Sequence, residues 1–136
     1  MSSIKGAIYT KLVALAITPK VYHNELPQNP SYPATVYSLI SQPPVDLTHD
    51  VGVTGFRQAR IQIDVYALTV SQAETAMEAY FEALKSFSGI LGDGLSPETT
   101  YDCDIWDEGG NPDMSFEEET TLRHVEGRSH DFMVQY

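Results

Sequence analysis

The sequence contains little cysteine and little positive charge. One cysteine, Cys103, occurs among 136 residues, which excludes an intrachain disulfide and a CxxC-type metal or redox motif. Lysine and arginine total 8 against 19 aspartates and glutamates, so the formal net charge is −11. Unspecific binding to nucleic acid and binding to an anionic membrane surface both need clustered basic side chains. The charge therefore argues against both roles and favours solubility.

Long hydrophobic runs are absent as well. The stretch from Ile8 to Ile17 contains Thr10 and Lys11 and is too short to span a bilayer, and no signal-peptide pattern is present. Hydrophobic residues make up 42% of the chain and charged residues 20%, which is typical of an ordinary globular domain. We expect one domain that folds in a cytoplasm.

Signatures of phosphate binding and catalysis are also missing. The sequence has no GxxxxGK P-loop and no GxGxxG, GxSxG or HExxH motif. The acidic run that begins at Asp102 is not an EF-hand loop, because its sixth position is Asp107 rather than glycine. Acidic neighbours on both sides of Cys103 disfavour a thiolate, which indicates a buried structural cysteine. We predict no catalytic residue, no cofactor and no metal site.

Hydrophobic periodicity predicts a leading helix and three strands in the first half of the chain. Helical spacing runs from Ile4 to Leu15 and ends before Pro19. Val21–Tyr22 is a candidate edge strand, and the residues from Thr35 to Ser41 are rich in strand formers. The segment from Phe56 to Leu68 is the clearest strand, because polar and apolar residues alternate from Arg60 to Ala67. The polar residues from Gln42 to Gly55 predict a long loop.

A second helix is predicted directly after the clearest strand. Ser71 is the expected N-cap, and Glu74 completes a capping box. An apolar stripe then continues to Phe87, and the glycines of "GILGDG" predict that the helix ends in a flexible turn. Further strands are expected from Tyr101 to Trp106 and within Leu122 to Tyr136. The predicted fold class is α+β, with an antiparallel sheet of about four strands and two helices packed on one face.

Two long segments and the chain's ending resemble a known family. These are "LPQNPSYPATVYSLIS", "FRQARIQIDVYALTVSQAETAMEAYFEAL" and "HDFMVQY". In order and spacing they resemble the small tail-completion, or tail-terminator, proteins of long-tailed bacteriophages. The resemblance covers Ile4 to Phe87 and Leu122 to Tyr136. The middle of the chain is longer and more acidic than the family pattern, which we interpret as an acidic loop insertion near residues 107–119 in a single domain over residues 1–136.

This resemblance implies a structural virion protein rather than an enzyme. Members of the family form a ring, usually of six copies, that caps the finished tail tube and faces the head-side connector. The implied partners are other copies of the chain, the tail tube protein and a head-connector or stopper protein. DNA passes through such a ring without specific binding, and no membrane is involved. The implied location is the head-proximal end of the virion tail, reached from the host cytoplasm during assembly.

Charged and polar residues supply two candidate surfaces for such contacts. The polar face of the clearest strand is a candidate subunit or partner interface, comprising Arg57, Arg60, Gln62, Asp64 and Tyr66. Acidic residues in the predicted loops are candidates for lining a channel or meeting a tube: Asp46, Asp50, Asp107, Asp113, Glu117, Glu118 and Glu119. A negative lumen would repel DNA phosphates. The plain alternative for both sets is that they are solvated side chains.

Two other functions stay open from the sequence. A head-completion or connector protein of the same neck region would share the structural role at a different position. A small enzyme or ligand-binding module would instead need a concave pocket with clustered polar groups. Neighbouring tail-tube and head-connector genes would favour the virion interpretations.

Overall fold

The described residues of the chain form two helices and six strands. The computed structural model describes residues 4–27, 32–41, 57–95, 98–117 and 124–136, with the backbone alone over 111–117. In chain order the elements are α1 (Ile4–Leu15), β1 (Lys20–His23), β2 (Ala34–Ser41), β3 (Gln58–Ala67), α2 (Val70–Leu84), β4 (Ser88–Gly92), β5 (Thr100–Glu117) and β6 (His124–Gln135). The α+β class is confirmed, as are the predicted helix α1 and the edge strand β1.

The strands form one curled sheet in the order β1-β2-β3-β6-β5-β4. β1 runs parallel to β2, and every other neighbouring pair is antiparallel. The prediction of about four antiparallel strands was therefore wrong: the sheet has six and is mixed. Both helices pack on one face, where their apolar side chains join Ile61, Ile63 and Phe132 in a single core cluster.

Strand β4 replaces the flexible turn that the glycines predicted. Its residues Ser88–Gly92 pair antiparallel with β5, and Leu91 is buried against the core. The helix before it ends at Leu84, where the Lys85 N–H donates to the carbonyl of Phe81. Glycine has low strand propensity, so a short edge strand with two glycines gives a turn-like sequence.

Strand β5 replaces most of the predicted acidic loop. It runs from Thr100 to Glu117; its first residues pair with β4, and the residues from Asp104 to Glu117 pair with β6. The ladder shifts register between Asp107 and Gly109 and again between Asn111 and Met114. Such bulges accommodate extra residues without ending the strand. The loop prediction was thus wrong over residues 107–117, and residues 118 and 119 lie outside the described part of the chain.

Helix α2 begins two residues earlier than predicted. Thr69, not Ser71, is the N-cap, and its hydroxyl accepts from the backbone N–H of Gln72 at 3.2 Å. Glu74 does not close a capping box but accepts from Arg128 Nη2 at 2.7 Å. The apolar stripe is confirmed as far as Leu84, where the helix ends, so its predicted continuation to Phe87 was wrong; the buried α2 residues are Ala73, Ala76, Met77, Tyr80 and Leu84.

A chain of buried hydroxyls joins α2 to the first two strands. Tyr80, which is 0% exposed, lies 2.7 Å from the Thr35 hydroxyl, and Thr35 lies 2.7 Å from the Thr18 hydroxyl. Thr18 donates to the carbonyl of Lys20 at 2.9 Å. Each hydroxyl has one proton. Because Thr18 donates its one proton to the carbonyl, it can only accept from Thr35. Thr35 therefore donates to Thr18, and Tyr80 donates to Thr35.

Replacing Tyr80 with phenylalanine should lower the free energy of unfolding by about 1–2 kcal/mol, because Thr35 loses a buried hydrogen-bond partner while the ring volume is kept. Urea unfolding followed by circular dichroism measures this change. Tyr9→Phe is the matched control, since Tyr9 is 44% exposed. Equal stability of the two variants would show that the hydroxyl chain does not stabilise the fold.

Candidate functional site

The polar face of β3 is organised by hydrogen bonds within the chain. Gln62 Nε2 donates to both carboxylate oxygens of Asp64, at 3.0 and 3.2 Å. Burial, the negative charge of Asp64 and a hydrogen bond to that carboxylate raise the pKa of Tyr66 to about 12. The three side chains alternate with buried Ile63 and Val65, as the sequence pattern predicted. They form one connected row on the face opposite the helices.

The centre of this polar face is not exposed to solvent. Asp64 is 8% exposed, and its neighbours in register, Val36 on β2 and Ser129 on β6, are 2% and 9% exposed. Val36 does not belong to the helix-side core cluster. Asp64 is therefore largely inaccessible in the single chain, whereas Gln62 and Tyr66 beside it remain partly exposed.

The accessible end of the face contains two arginines. Arg57 is exposed, and its backbone pairs with that of Tyr136 beyond the end of β3. Arg60 Nε donates to Asp131 Oδ2 at 3.0 Å, and the Arg60 side chain is 36% exposed. A half-exposed ion pair of this kind contributes about 0–1 kcal/mol. Arg60 thus has a partner in its own chain and still presents part of its guanidinium to solvent.

The predicted acidic residues are distributed over different parts of the structure. Asp107 lies on β5 at the first bulge, and its side chain is 41% exposed. The N–H of Gly109, at 2.9 Å, and the ring of His130 hold the pKa of Asp107 below its usual value. Asp113 and Glu117 lie on the β5 backbone trace. The predictions for Asp46, Asp50, Glu118 and Glu119 fall outside the described residues.

The contact between Asp107 and His130 was not predicted from the sequence. His130 Nε2 bonds to the Asp107 carboxylate, while its ring packs against Phe81 and Phe132, with centroids 5.2 and 4.9 Å apart. The signal in the sequence is the "DEGG" stretch, because Gly109 adopts a positive φ of 97° that favours a bulge. Among the described side chains, no group of three or more His, Cys, Asp or Glu residues is arranged to hold a metal ion. The pair fixes β5 to β6 and to α2.

Cys103 is confirmed as a buried cysteine, 1% exposed. Burial, followed by the charges of Asp102 and Asp104, raises its pKa to about 11. Relative to an ordinary thiol, we expect iodoacetamide to modify the folded protein at least about 100-fold more slowly at pH 8, because the thiolate fraction falls tenfold per pKa unit. Unfolding in urea should restore the ordinary rate, measured by mass spectrometry. Rapid labelling of the folded chain would contradict this placement.

A groove lies between the C-terminal half of α1 and the edge strand β1. Its volume is about 510 Å³, and the described residues that line it are Tyr9, Val13, Ala16, Ile17, Thr18, Pro19, Lys20 and Val21. Lys20 is the one charged residue among them. A shallower depression of about 370 Å³ adjoins it at Ile17 and runs along α2 past Ser71 and Thr75. Neither depression gathers several titratable groups from its described lining.

No helix in the described part of the chain has the length and apolar character needed to cross a bilayer.

Sequence comparisons identify no relatives: no family model matches the chain, and no curated protein matches it. A comparison of folds does find similar structures. One is a chain from a structure described as the virion of a native gene transfer agent particle, with 17% identity and a TM-score of 0.56. The similarity covers 98% of this chain and 93% of that one.

Proposed function

We propose that this chain is a structural virion protein, a tail terminator whose ring caps the tail tube and joins it to the head connector. The observation that carries the proposal is the fold shared, over nearly the full length of both chains, with a protein of a gene transfer agent virion. The resemblance of three sequence segments to tail-completion proteins supports it independently. The role is non-enzymatic, and the chain works at the head-proximal end of the tail.

The shape of the sheet supports an assembling role. β1 and β4 are its two end strands, and α1 contacts both of them. End strands offer backbone groups and side chains to another chain, so an open sheet of this kind is suited to assembly with further copies. A ring, proposed here as a hexamer, joins one patch of each copy to a different patch of the next.

The negative charge supports a role around DNA in transit. The net charge of −11 includes Asp107, whose side chain on β5 is half-exposed and whose pKa lies below its usual value. We propose that it faces the channel or the tube together with the other candidate acids, Asp46, Asp50, Asp113, Glu117, Glu118 and Glu119. Such a lumen lets phosphates slide without binding. The other partners are the tail tube protein and a head-connector or stopper protein.

Deleting the gene from the genome that encodes it tests this function. A terminator predicts tails of abnormal length together with filled heads that have no tail, seen by negative-stain microscopy, and a plasmid copy should restore normal particles. A head-completion protein of the same neck, the second candidate, predicts tails of normal length that fail to join leaky heads. Normal virions after deletion would contradict both.

Charge reversal at Arg57 and Arg60 should abolish ring formation if this end of the β3 face is a subunit contact, as proposed. Light scattering coupled to size exclusion measures the oligomer. Arg60→Glu alone also breaks the pair with Asp131. Combining Arg60→Glu with Asp131→Arg restores that pair while keeping the surface charge at position 60 reversed, so it separates folding from assembly. An unchanged oligomer in the Arg57→Glu, Arg60→Glu variant would show that the interface lies elsewhere.

A further inference from the structure

Positive and negative residues are segregated along the chain. Residues 1–24 contain Lys5, Lys11 and Lys20 and no acidic residue. Residues 86–122 contain no Lys or Arg and ten acids, namely Asp93, Glu98, Asp102, Asp104, Asp107, Glu108, Asp113, Glu117, Glu118 and Glu119. The first segment includes α1 and the end strand β1, and the second includes β5 and the opposite end strand β4. Because α1 contacts both end strands, the difference in charge lies in the strands themselves: β1 contains Lys20 and no acidic residue, whereas β4 pairs with β5 at Asp102 and Asp104.

The acidic edge carries the most exposed apolar side chain among the large hydrophobic residues described. Ile90 is 70% exposed, whereas its strand neighbour Leu91 is 4% exposed. Ile90 is in register with Asp102 on β5, and Asp102 is exposed. Nearby Asp104 accepts from the Ser88 hydroxyl at 2.7 Å and is exposed too. The edge thus presents an isoleucine next to two carboxylates.

The basic edge carries a complementary depression. The groove of about 510 Å³ is walled by exposed Tyr9 and Val13 of α1 and by Val21 of β1, with the exposed Lys20 at its rim. Thr18, which also lines it, already donates its hydroxyl proton to the Lys20 carbonyl. The described lining of the groove therefore offers apolar side chains and one ammonium group, that of Lys20.

We propose that Ile90 of one copy inserts into the groove beside Val13 and Val21 of a second copy, with Lys20 facing Asp102. This inference rests on the proposed ring and names its subunit contact. The contact joins two different patches, so repetition around a rotation axis closes a ring. It is separate from the contact proposed for Arg57 and Arg60.

Charge complementarity identifies a second copy as the occupant. Copies with a net charge of −11 repel one another, so a stable contact has to place acidic residues against one of the few basic sites. Lys20 is the basic residue in the described lining of the groove. Lys11, also on the first segment, instead lies over the ring of Phe87 in its own chain, at 4.4 Å from the centroid. For a polar small molecule, the described lining offers one charged side chain, that of Lys20.

Ring formation by the full chain tests the proposal. The variants are Ile90→Glu, Lys20→Glu and the charge swap Lys20→Glu with Asp102→Lys. Ile40→Glu is the control, because Ile40 is an isoleucine on β2 that is also exposed, at 49%. Light scattering at low and moderate salt gives the mass, and thermal melting checks folding. We expect both single variants to lose the ring, dissociating at least tenfold more readily than the control, and the swap to regain it.

The possible results distinguish the contact, the pairing of Lys20 with Asp102 and the ring from one another. Rings that persist in folded Ile90→Glu and Lys20→Glu overturn the contact but leave the terminator proposal intact. Loss of the ring in Lys20→Glu without recovery in the swap overturns the pairing with Asp102. A wild-type chain that stays monomeric even with tail tubes present overturns the ring itself and this contact with it.

Discussion

Replacing Phe132 with alanine should lower the free energy of unfolding by about 3–5 kcal/mol, the largest loss expected from a single side chain here. Phe132 is 1% exposed in the C-terminal part of β6, in register with Ile61 of β3. It packs on the helix-side core and against the ring of His130. Removing it leaves a cavity between the sheet and the helices. The midpoint of thermal unfolding should fall by roughly 10–20 °C.

Urea unfolding at pH 7, followed by circular dichroism, measures the change, with Ile40→Ala as the control. Ile40 is 49% exposed, so its truncation should cost less than about 0.5 kcal/mol. A loss below 1 kcal/mol for Phe132→Ala would mean that the helices do not pack on this face as described.

Replacing Gly110 with alanine should destabilise the chain by about 2–3 kcal/mol, even though the change adds one methyl group. A Cβ at this position would lie 2.4 Å from the carbonyl oxygen of Ser129 and 2.5 Å from Nδ1 of His130. The carbonyl belongs to the β6 backbone, so it moves only if the ladder moves. We expect the bond between His130 and Asp107 to be disturbed as well.

The matched control for this change is Gly89→Ala on β4. There the added Cβ would meet only the Phe87 ring, at 3.1 Å, and that side chain can shift. The cost should be less than half that of Gly110→Ala in the same unfolding experiment. Equal costs would argue that the two glycines are selected for chain flexibility and not for close approach of β5 to β6.

The elements that could be predicted from the sequence are those whose own residues show the apolar periodicity of a helix or a strand. α1, the α2 stripe, β3 and the end of β6 all show such a pattern. Strand β4 does not, because glycines occupy two of its five positions. Most of β5 carries the composition of a loop, and its ladder with β6 decides its conformation. Pairing between distant segments overrides local propensity in both cases.

The candidate surfaces, too, could be predicted where one strand carries the pattern and not where several elements build the surface. Alternation in β3 placed Arg60, Gln62, Asp64 and Tyr66 on one face, and the structure has them there. Asp64 is buried between strands that pair it with Val36 and Ser129, and no local pattern reveals these pairings. The groove beside Lys20 depends on how α1 meets β1. Exposure of Ile90 similarly requires knowing that β4 is an end strand.

The sequence segregation of charge becomes meaningful only with the sheet order. A basic first segment and an acidic segment after α2 are compatible with many arrangements. The order β1-β2-β3-β6-β5-β4 places Lys20 of β1 and the acidic residues of β5 toward opposite ends of the sheet, which is the arrangement that the proposed contact between copies uses. In the proposed ring, the charge pattern that favours contact between copies also disfavours unspecific DNA binding.

Locating the chain in the assembled particle tests the terminator role most directly. A hexahistidine tag on the chain, labelled with nickel–nanogold, can be imaged by electron microscopy on intact virions and on tails released from them. The terminator account predicts gold at the junction of head and tail, and at one end only of each released tail. Gold on the head shell, along the tail or at the distal tip, or its absence from the virion, would contradict the account.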